Sequence, residues 1–255
     1  MPIACAAIWL GPPWFVFLVA AAAAIMGWEW GRLVGRVSDP IAGAVIMLVA
    51  GLPVLLAGLV SLPCGLAAGG ALILLQELAV LLGPLGTARP RRTAWTVGGL
   101  AWIVLSMMAL AWLRALPAAA DRVDGFDILV FIASVVWSVD IGAYVAGKLV
   151  GGPRLAPRLS PKKTWAGLVG GVAAAVLASW VAGRILGWPA PSVIALLSTG
   201  LAVVEQMGDM AESYAKRRFG VKDTSQLIPG HGGLLDRLDG LLAVAVAVTF
   251  IVVFR

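Results

Sequence analysis

The sequence predicts an all-α, polytopic integral membrane protein of about eight transmembrane helices, or nine with a short amino-terminal piece, and two long polar loops on the cytoplasmic side. Three observations carry that prediction. The 255-residue chain is 61% hydrophobic and only 13% charged, whereas soluble domains carry about 25% charged residues; its mean hydropathy is +0.97. Apolar runs of about 20 residues, the length a helix needs to cross a bilayer core, recur from end to end. The basic residues also fall on alternate connections between those runs. Lipid offers the backbone no partners, and long unbroken apolar runs satisfy it as helices, not as the alternating strands of a barrel.

The elements follow in order. Residues 3–10 (IACAAIWL) are apolar but too short to span, so they read as an interfacial or re-entrant piece or part of a ninth helix. Spanning segments are expected at 13–31, 41–61, 64–83, 94–114, 127–147, 165–187, 191–208 and 239–254. Pro53 falls inside the second, where a kink is tolerable in lipid. No Lys or Arg precedes the first apolar run, so a cleaved signal peptide is not expected. No internal repeat or second domain is evident, and residues 1–255 read as one membrane-embedded domain whose chemistry is concentrated in 137–240.

With this layout, the connections after segments one, three, five and seven hold Arg32 and Arg36; Arg89, Arg91 and Arg92; Lys148, Arg154, Arg158, Lys162 and Lys163; and Lys216, Arg217, Arg218, Lys222 and Arg237. The other side holds only Arg114, Arg122, Arg184 and Arg255. The positive-inside rule places the rich side in the cytoplasm, and an error of one helix would scramble the asymmetry. The net charge of +6 therefore reports loop placement and anionic ligands; no aromatic-basic pattern of a nucleic-acid module is present. Cys5 and Cys64 lack metal-ligand spacing and imply no disulfide framework.

The two long loops, 148–164 and 209–238, hold the polar chemistry. In VEQMGDMAESYAKRR (204–218), Asp209, Glu212, Ser213 and Lys216 fall on one helical face at the end of an apolar run. Taken alone, this is equally a solvated helix end with an internal ion pair. In IPGHGGLLDRLD (228–239), Gly230, Gly232 and Gly233 allow close backbone approach to a phosphate. Asp236 and Asp239 lie at the start of the last helix, where a carboxylate is also an ordinary cap. His231 alone is more often a loop hydrogen-bonder than a base. In GKLVGGPRLAPRLSPKKTW (147–165), Ser160, Lys162, Lys163 and Thr164 bring two hydroxyls and two ammonium groups together, suited to an anionic head group or to a plain positive-inside loop. Asp209, Asp223, Asp236 and Asp239 are candidate oxygen ligands for Mg²⁺, and Lys216, Arg217, Lys222 and Arg237 stand beside them. Acids interleaved with bases suggest a metal-bound polyphosphate. Asp140, Glu77 and Glu205 are acids within apolar segments, and such residues are functional candidates by default.

The run SYAKRRFGVKDTSQLIPGHGGLLDRLD (213–239) resembles the characteristic stretch of the phosphatidate cytidylyltransferases, also called CDP-diacylglycerol synthases. Matching positions include Ser213, Lys216, Arg217, Lys222, Asp223, Ser225, Pro229, His231, Gly232, Gly233, Asp236, Arg237 and Asp239. GDMAES (208–213), SPKKTW (160–165), WSVDIGAYVAGK (137–148) and WEW (28–30) support it. The resemblance implies transfer of a cytidylyl group from CTP to phosphatidic acid, giving CDP-diacylglycerol and pyrophosphate for phospholipid synthesis. It implies a location in the cell (inner) membrane, with the active site on the cytoplasmic side. It further implies Mg²⁺, with a monovalent cation such as K⁺ as an option alongside.

Asp209 and Asp236 are the implied metal ligands, with Asp223 and Asp239 as second choices. Asp209, Asp236, Lys163 and Lys216 are the implied catalytic groups. Ser160, Lys162, Lys163, Thr164, Ser213, Arg217, Lys222, His231, Gly232, Gly233 and Arg237 are the implied substrate contacts. The family usually has Glu after SPKKTW; Ala166 stands there, so reduced or differently supported activity is one expectation, and an inactive relative is another. A membrane transporter, or a related lipid-phosphate nucleotidyltransferase or kinase, is the alternative. The bilayer is an expected partner, nucleic acid is not, and a homodimer is left open.

Overall fold

A computed structural model describes residues 2–82, 90–117, 124–188, 190–227, 230 and 232–254. Arg89, Arg122, Pro229, His231 and Arg255 lie outside the described residues. The described chain forms nine helices and one hairpin: α1 (Pro2–Leu10), α2 (Pro12–Leu33), α3 (Pro40–Leu59), α4 (Leu62–Leu82), α5 (Pro90–Arg114), α6 (Gly125–Leu149), β1 (Arg154–Ala156), β2 (Ser160–Thr164), α7 (Trp165–Ile185), α8 (Pro191–Arg218) and α9 (Leu235–Val253). Among the described residues, seven helices, α2 to α8, are long and apolar enough to cross a membrane. At nine residues α1 is too short, as expected. The first turns of α9 carry Asp236, Arg237 and Asp239, which sets it apart from the seven.

Two features depart from the expected layout. The connection expected over 209–238 is helical at both ends, because α8 continues through Arg218 and α9 begins at Leu235. The extension is sustained by pairs four residues apart, Ser213 Oγ to Asp209 Oδ1 at 3.3 Å and Lys216 Nζ to Glu212 Oε2 at 2.6 Å. Lys216, Arg217 and Arg218 occupy its last turn, where positive charge suits the helix dipole. The other polar connection holds an antiparallel hairpin with Arg154 opposite Thr164 and Ala156 opposite Ser160.

The chain divides into two compact units. The first comprises Met1–Ala115 and Phe219–Arg237. Its centre is α2, which packs on α1, α3 and α5 through fully buried Val16, Ala23 and Met26. The Trp30 ring lies over Gly99 of α5, where any side chain would collide with it, and Trp30 Nε1 donates to Trp95 O at 2.9 Å. Arg114 Nε donates to Ile8 O at 2.9 Å, tying α1 to the end of α5. Arg36 lies in the connection between α2 and α3, as expected, but its side chain is buried. It contacts Glu77 Oε2 at 2.7 Å, Thr93 Oγ1 at 3.0 Å and Thr96 Oγ1 at 3.2 Å. Glu77, which had no sequence neighbour to define its role, therefore neutralises a cation.

The second unit comprises Leu116–Arg218 and Leu238–Arg255. Here α7 packs on both α6 and α8. Helices α6 and α7 meet through small residues: a Cβ on Gly142 would lie 2.6 Å from Gly170 O, and one on Gly170 would lie 2.9 Å from Gly142 O. Without a hydrophobic drive between helices in lipid, such close backbone contact is a main source of association. Thr164 Oγ1 accepts from Gly167 N at 3.0 Å and caps α7. Gly208 brings α8 against α9, where an added Cβ would lie 2.9 Å from Asp239 O.

Gly170→Leu is expected to destabilise the detergent-solubilised protein by about 1–3 kcal/mol through overpacking. Gly200→Ala, with nothing within 4 Å of its Cβ position, is expected to be neutral or stabilising by up to about 1 kcal/mol. Glu77→Ala leaves the Arg36 charge uncompensated, and a loss of about 3–5 kcal/mol is expected. Thermal unfolding in a fixed detergent checks all three.

Candidate active site

In the second unit the polar face of α8 meets the hairpin. On β2, Lys162 is exposed while Lys163 is half-buried. Lys163 Nζ lies 2.5 Å from Asp209 Oδ2 and donates to Gln206 Oε1 at 3.0 Å. Gln206 Nε2 in turn donates to Glu205 Oε2 at 2.7 Å. Glu205, Gln206, Glu212 and Lys216 are all buried. Glu205 lies in the field of Asp140, Asp209 and Lys163. Asp239, on α9, lies in the field of Asp209, Glu212 and Lys216. Arg217 Nε reaches Leu159 O at 3.5 Å, a second link from α8 to the hairpin. Ser160 is half-buried in β2. This unit thus gathers Ser160, Lys163, Thr164, Asp209, Ser213, Lys216, Arg217 and Asp239 on α8 and the elements that meet it, with Thr164 already engaged as a helix cap.

In the first unit the turn before α9 is organised by two carboxylates. Asp236 Oδ2 accepts from Thr224 N at 3.0 Å, Thr224 Oγ1 at 2.9 Å and Gly233 N at 2.8 Å. The bond back to Gly233, three residues earlier, is the carboxylate half of a capping box. Glu29 of α2, fully buried, accepts from Ser225 Oγ at 2.6 Å, Leu234 N at 2.9 Å and Leu235 N at 2.7 Å. These N–H groups open the helix and have no partner within it. Gly230 and Gly232 have φ of 73° and 80°, backbone that glycine adopts at no steric cost. Gly233 serves otherwise: its Cβ would fall 2.5 Å from Glu29 Oε1, and its N–H is given to Asp236. Lys222, Asp223 and Arg237 are exposed. His231 lies outside the described residues.

Glu29, Thr224 and Gln206 were not singled out from the sequence as site residues. Glu29 did carry a signal, since an acid inside an apolar run is costly unless it is partnered. Gln206 and Thr224 carried none, because neutral polar residues beside helix ends are common. Among the described residues no group of three or more His, Cys, Asp or Glu side chains is arranged to hold a metal ion. Mg²⁺ is commonly held by one or two carboxylates plus substrate phosphates, and hard aspartate oxygens fit that donor set.

The model of the cytidylyltransferase family matches residues 1–254. The phosphatidate cytidylyltransferase of Brucella suis is 38% identical over 244 residues, covering 93% of this chain and 83% of that protein. That of Pseudomonas aeruginosa is 35% identical over 238 residues, covering 90% and 84%. That of Rickettsia felis is 41% identical over 124 residues, covering 46% and 55%. With a family model running over residues 1–254 and 38% identity across 93% of the chain to one phosphatidate cytidylyltransferase, this protein belongs to the cytidylyltransferase family.

Proposed function

We infer that this protein transfers the cytidylyl group of CTP to phosphatidic acid, giving CDP-diacylglycerol and pyrophosphate. The observation that carries the reading is 38% identity across 93% of the chain to a phosphatidate cytidylyltransferase. The family match over 1–254 supports treating 1–255 as one functional domain. The excess of bases on one set of connections supports a cytoplasmic-side site in the cell membrane.

A phosphate oxygen of phosphatidic acid attacks the α-phosphorus of CTP. A new P–O–P bond forms, the α–β bridge breaks, and its electron pair leaves with pyrophosphate. The nucleophile is already anionic, so no strong base is needed, and catalysis rests on positioning and charge neutralisation. Mg²⁺ held by Asp209 and Asp236, with Asp223 and Asp239 as further ligands and K⁺ as an optional companion, would supply positive charge to the triphosphate. Lys163, paired with Asp209, is poised to exchange that partner for a substrate phosphate. Lys162, Lys216, Arg217, Lys222 and Arg237 supply further positive charge. Ser160, Thr164, Ser213, His231, Gly232 and Gly233 complete the proposed substrate contacts. Ala166, in the first turn of α7, leaves the lysines to be oriented from α8, a role for which the Asp209 and Gln206 contacts to Lys163 are suited.

Purified protein in detergent with phosphatidic acid, CTP and Mg²⁺ is expected to release pyrophosphate, and EDTA to abolish the release. Asp209→Asn and Asp236→Asn are each expected to lose at least about 100-fold in kcat. Lys163→Ala is expected to raise the KM of a substrate about tenfold, through loss of a charge-assisted bond. Pyrophosphate release with another lipid phosphate but none with phosphatidic acid would reject the acceptor. Normal turnover in either aspartate variant would reject that residue's assignment.

A further inference from the structure

We propose that Glu29 is a positioning residue for the cytidylyl-transfer site, aiming the carboxylate of Asp236 through the backbone on both sides of it. The proposal rests on the reading of Asp236 as a cation ligand. Asp236 Oδ2 is oriented by three donors, Thr224 N, Thr224 Oγ1 and Gly233 N. Each donor belongs to a residue whose chain neighbour is held by Glu29: Ser225 follows Thr224, and Leu234 follows Gly233. The third Glu29 contact, Leu235 N, is the residue just before Asp236. A single side chain from α2 therefore sets the position of two separate backbone stretches, and those two stretches set the direction of one carboxylate.

The arrangement is tight. A Cβ at Gly233 would lie 2.5 Å from Glu29 Oε1 and would also overlap Thr224 Oγ1, so the two carboxylates and the threonine close on one glycine. Glu29 itself has little freedom. It is fully buried, and the next residue, Trp30, is locked onto α5 by its bond to Trp95 O and its contact with Gly99. Rotation of α2 that would swing Glu29 away is thereby opposed. A helix N-terminus needs only water or one cap to satisfy its N–H groups, and Asp236 already caps Gly233. A second acid brought from a distant helix is more than capping requires. Partners that orient a metal ligand typically alter metal affinity or activity by about 10–100-fold when removed.

Glu29→Gln keeps the size of the side chain but turns one acceptor into a donor facing N–H groups. The full-length variant in detergent is expected to weaken Mn²⁺ binding in the presence of CTP, read by electron paramagnetic resonance, by about tenfold or more. The Mg²⁺ concentration for half-maximal pyrophosphate release should rise in step, while the KM for phosphatidic acid stays within about twofold. Because the effect passes through Asp236, Glu29→Gln combined with Asp236→Asn should bind Mn²⁺ no more weakly than Asp236→Asn alone. Ser225→Ala, a milder cut in the same network, should shift both metal readouts in the same direction and decides the matter if Glu29→Gln fails to fold. Folded variants with unchanged Mn²⁺ affinity and unchanged Mg²⁺ dependence would overturn the proposal, as would additive effects in the double variant. A wild-type protein that binds Mn²⁺ yet releases no pyrophosphate would instead count against the reading of the activity, because the binding comparison stands without turnover.

Discussion

Charge in a chain this apolar has to be answered inside the protein, and that constraint organises the rest of the structure. A lone ion in hydrocarbon is expensive, so acids and bases in membrane segments pair or line functional cavities. Arg36 is answered by Glu77, Lys163 by Asp209 and Lys216 by Glu212. Among the described residues, Glu29 is answered by N–H and O–H donors. The first pair joins the connection after α2 to α4, with both side chains buried. The second lies between a hairpin and a helix, only partly buried, where an incoming phosphate can compete.

The same constraint explains how nucleotide and lipid can be served together. Phosphoryl chemistry needs concentrated positive charge, which bare lipid would not tolerate. Asp209 neutralises Lys163, and Glu212 does the same for Lys216. Each lysine is fixed by a carboxylate, which reduces the side-chain freedom that binding of an anion would otherwise cost.

Most of the architecture was legible in the sequence because length and hydropathy decide it. All eight apolar segments became helices α2 to α9, and the short run 3–10 became the short helix α1. The extension of α8 to Arg218 was half-legible: the spacing of Asp209, Glu212, Ser213 and Lys216 suggested a helical face, although the polar composition suggested a loop. The hairpin was not legible, since SPKKT lacks the alternation that marks a strand, has a single β-branched residue and holds a proline. Among the candidate site residues, the motif singled out Asp209, Asp236 and Lys163 as expectations but did not disclose the role of Thr164 as a helix cap. Nor did it reveal the use of the Gly233 N–H, because spacing does not disclose which group a backbone donor faces. The partner of Arg36 was not legible, because a base just past a helix end looks like any other loop base until Glu77, far along the chain, is seen to meet it.

The hairpin treats its parts unequally. Lys163 and Thr164 are neighbours on β2, one bonded to α8 and the other to α7, so a slip of one residue would exchange an ammonium group for a hydroxyl at both places. The tip, with Pro157 and Arg158 exposed, carries no such obligation. Insertions are therefore tolerable at Pro157–Arg158, ahead of the Leu159 carbonyl that meets Arg217, and ruinous within Ser160–Thr164, which makes those two residues the natural place to attach a fluorophore or graft an epitope.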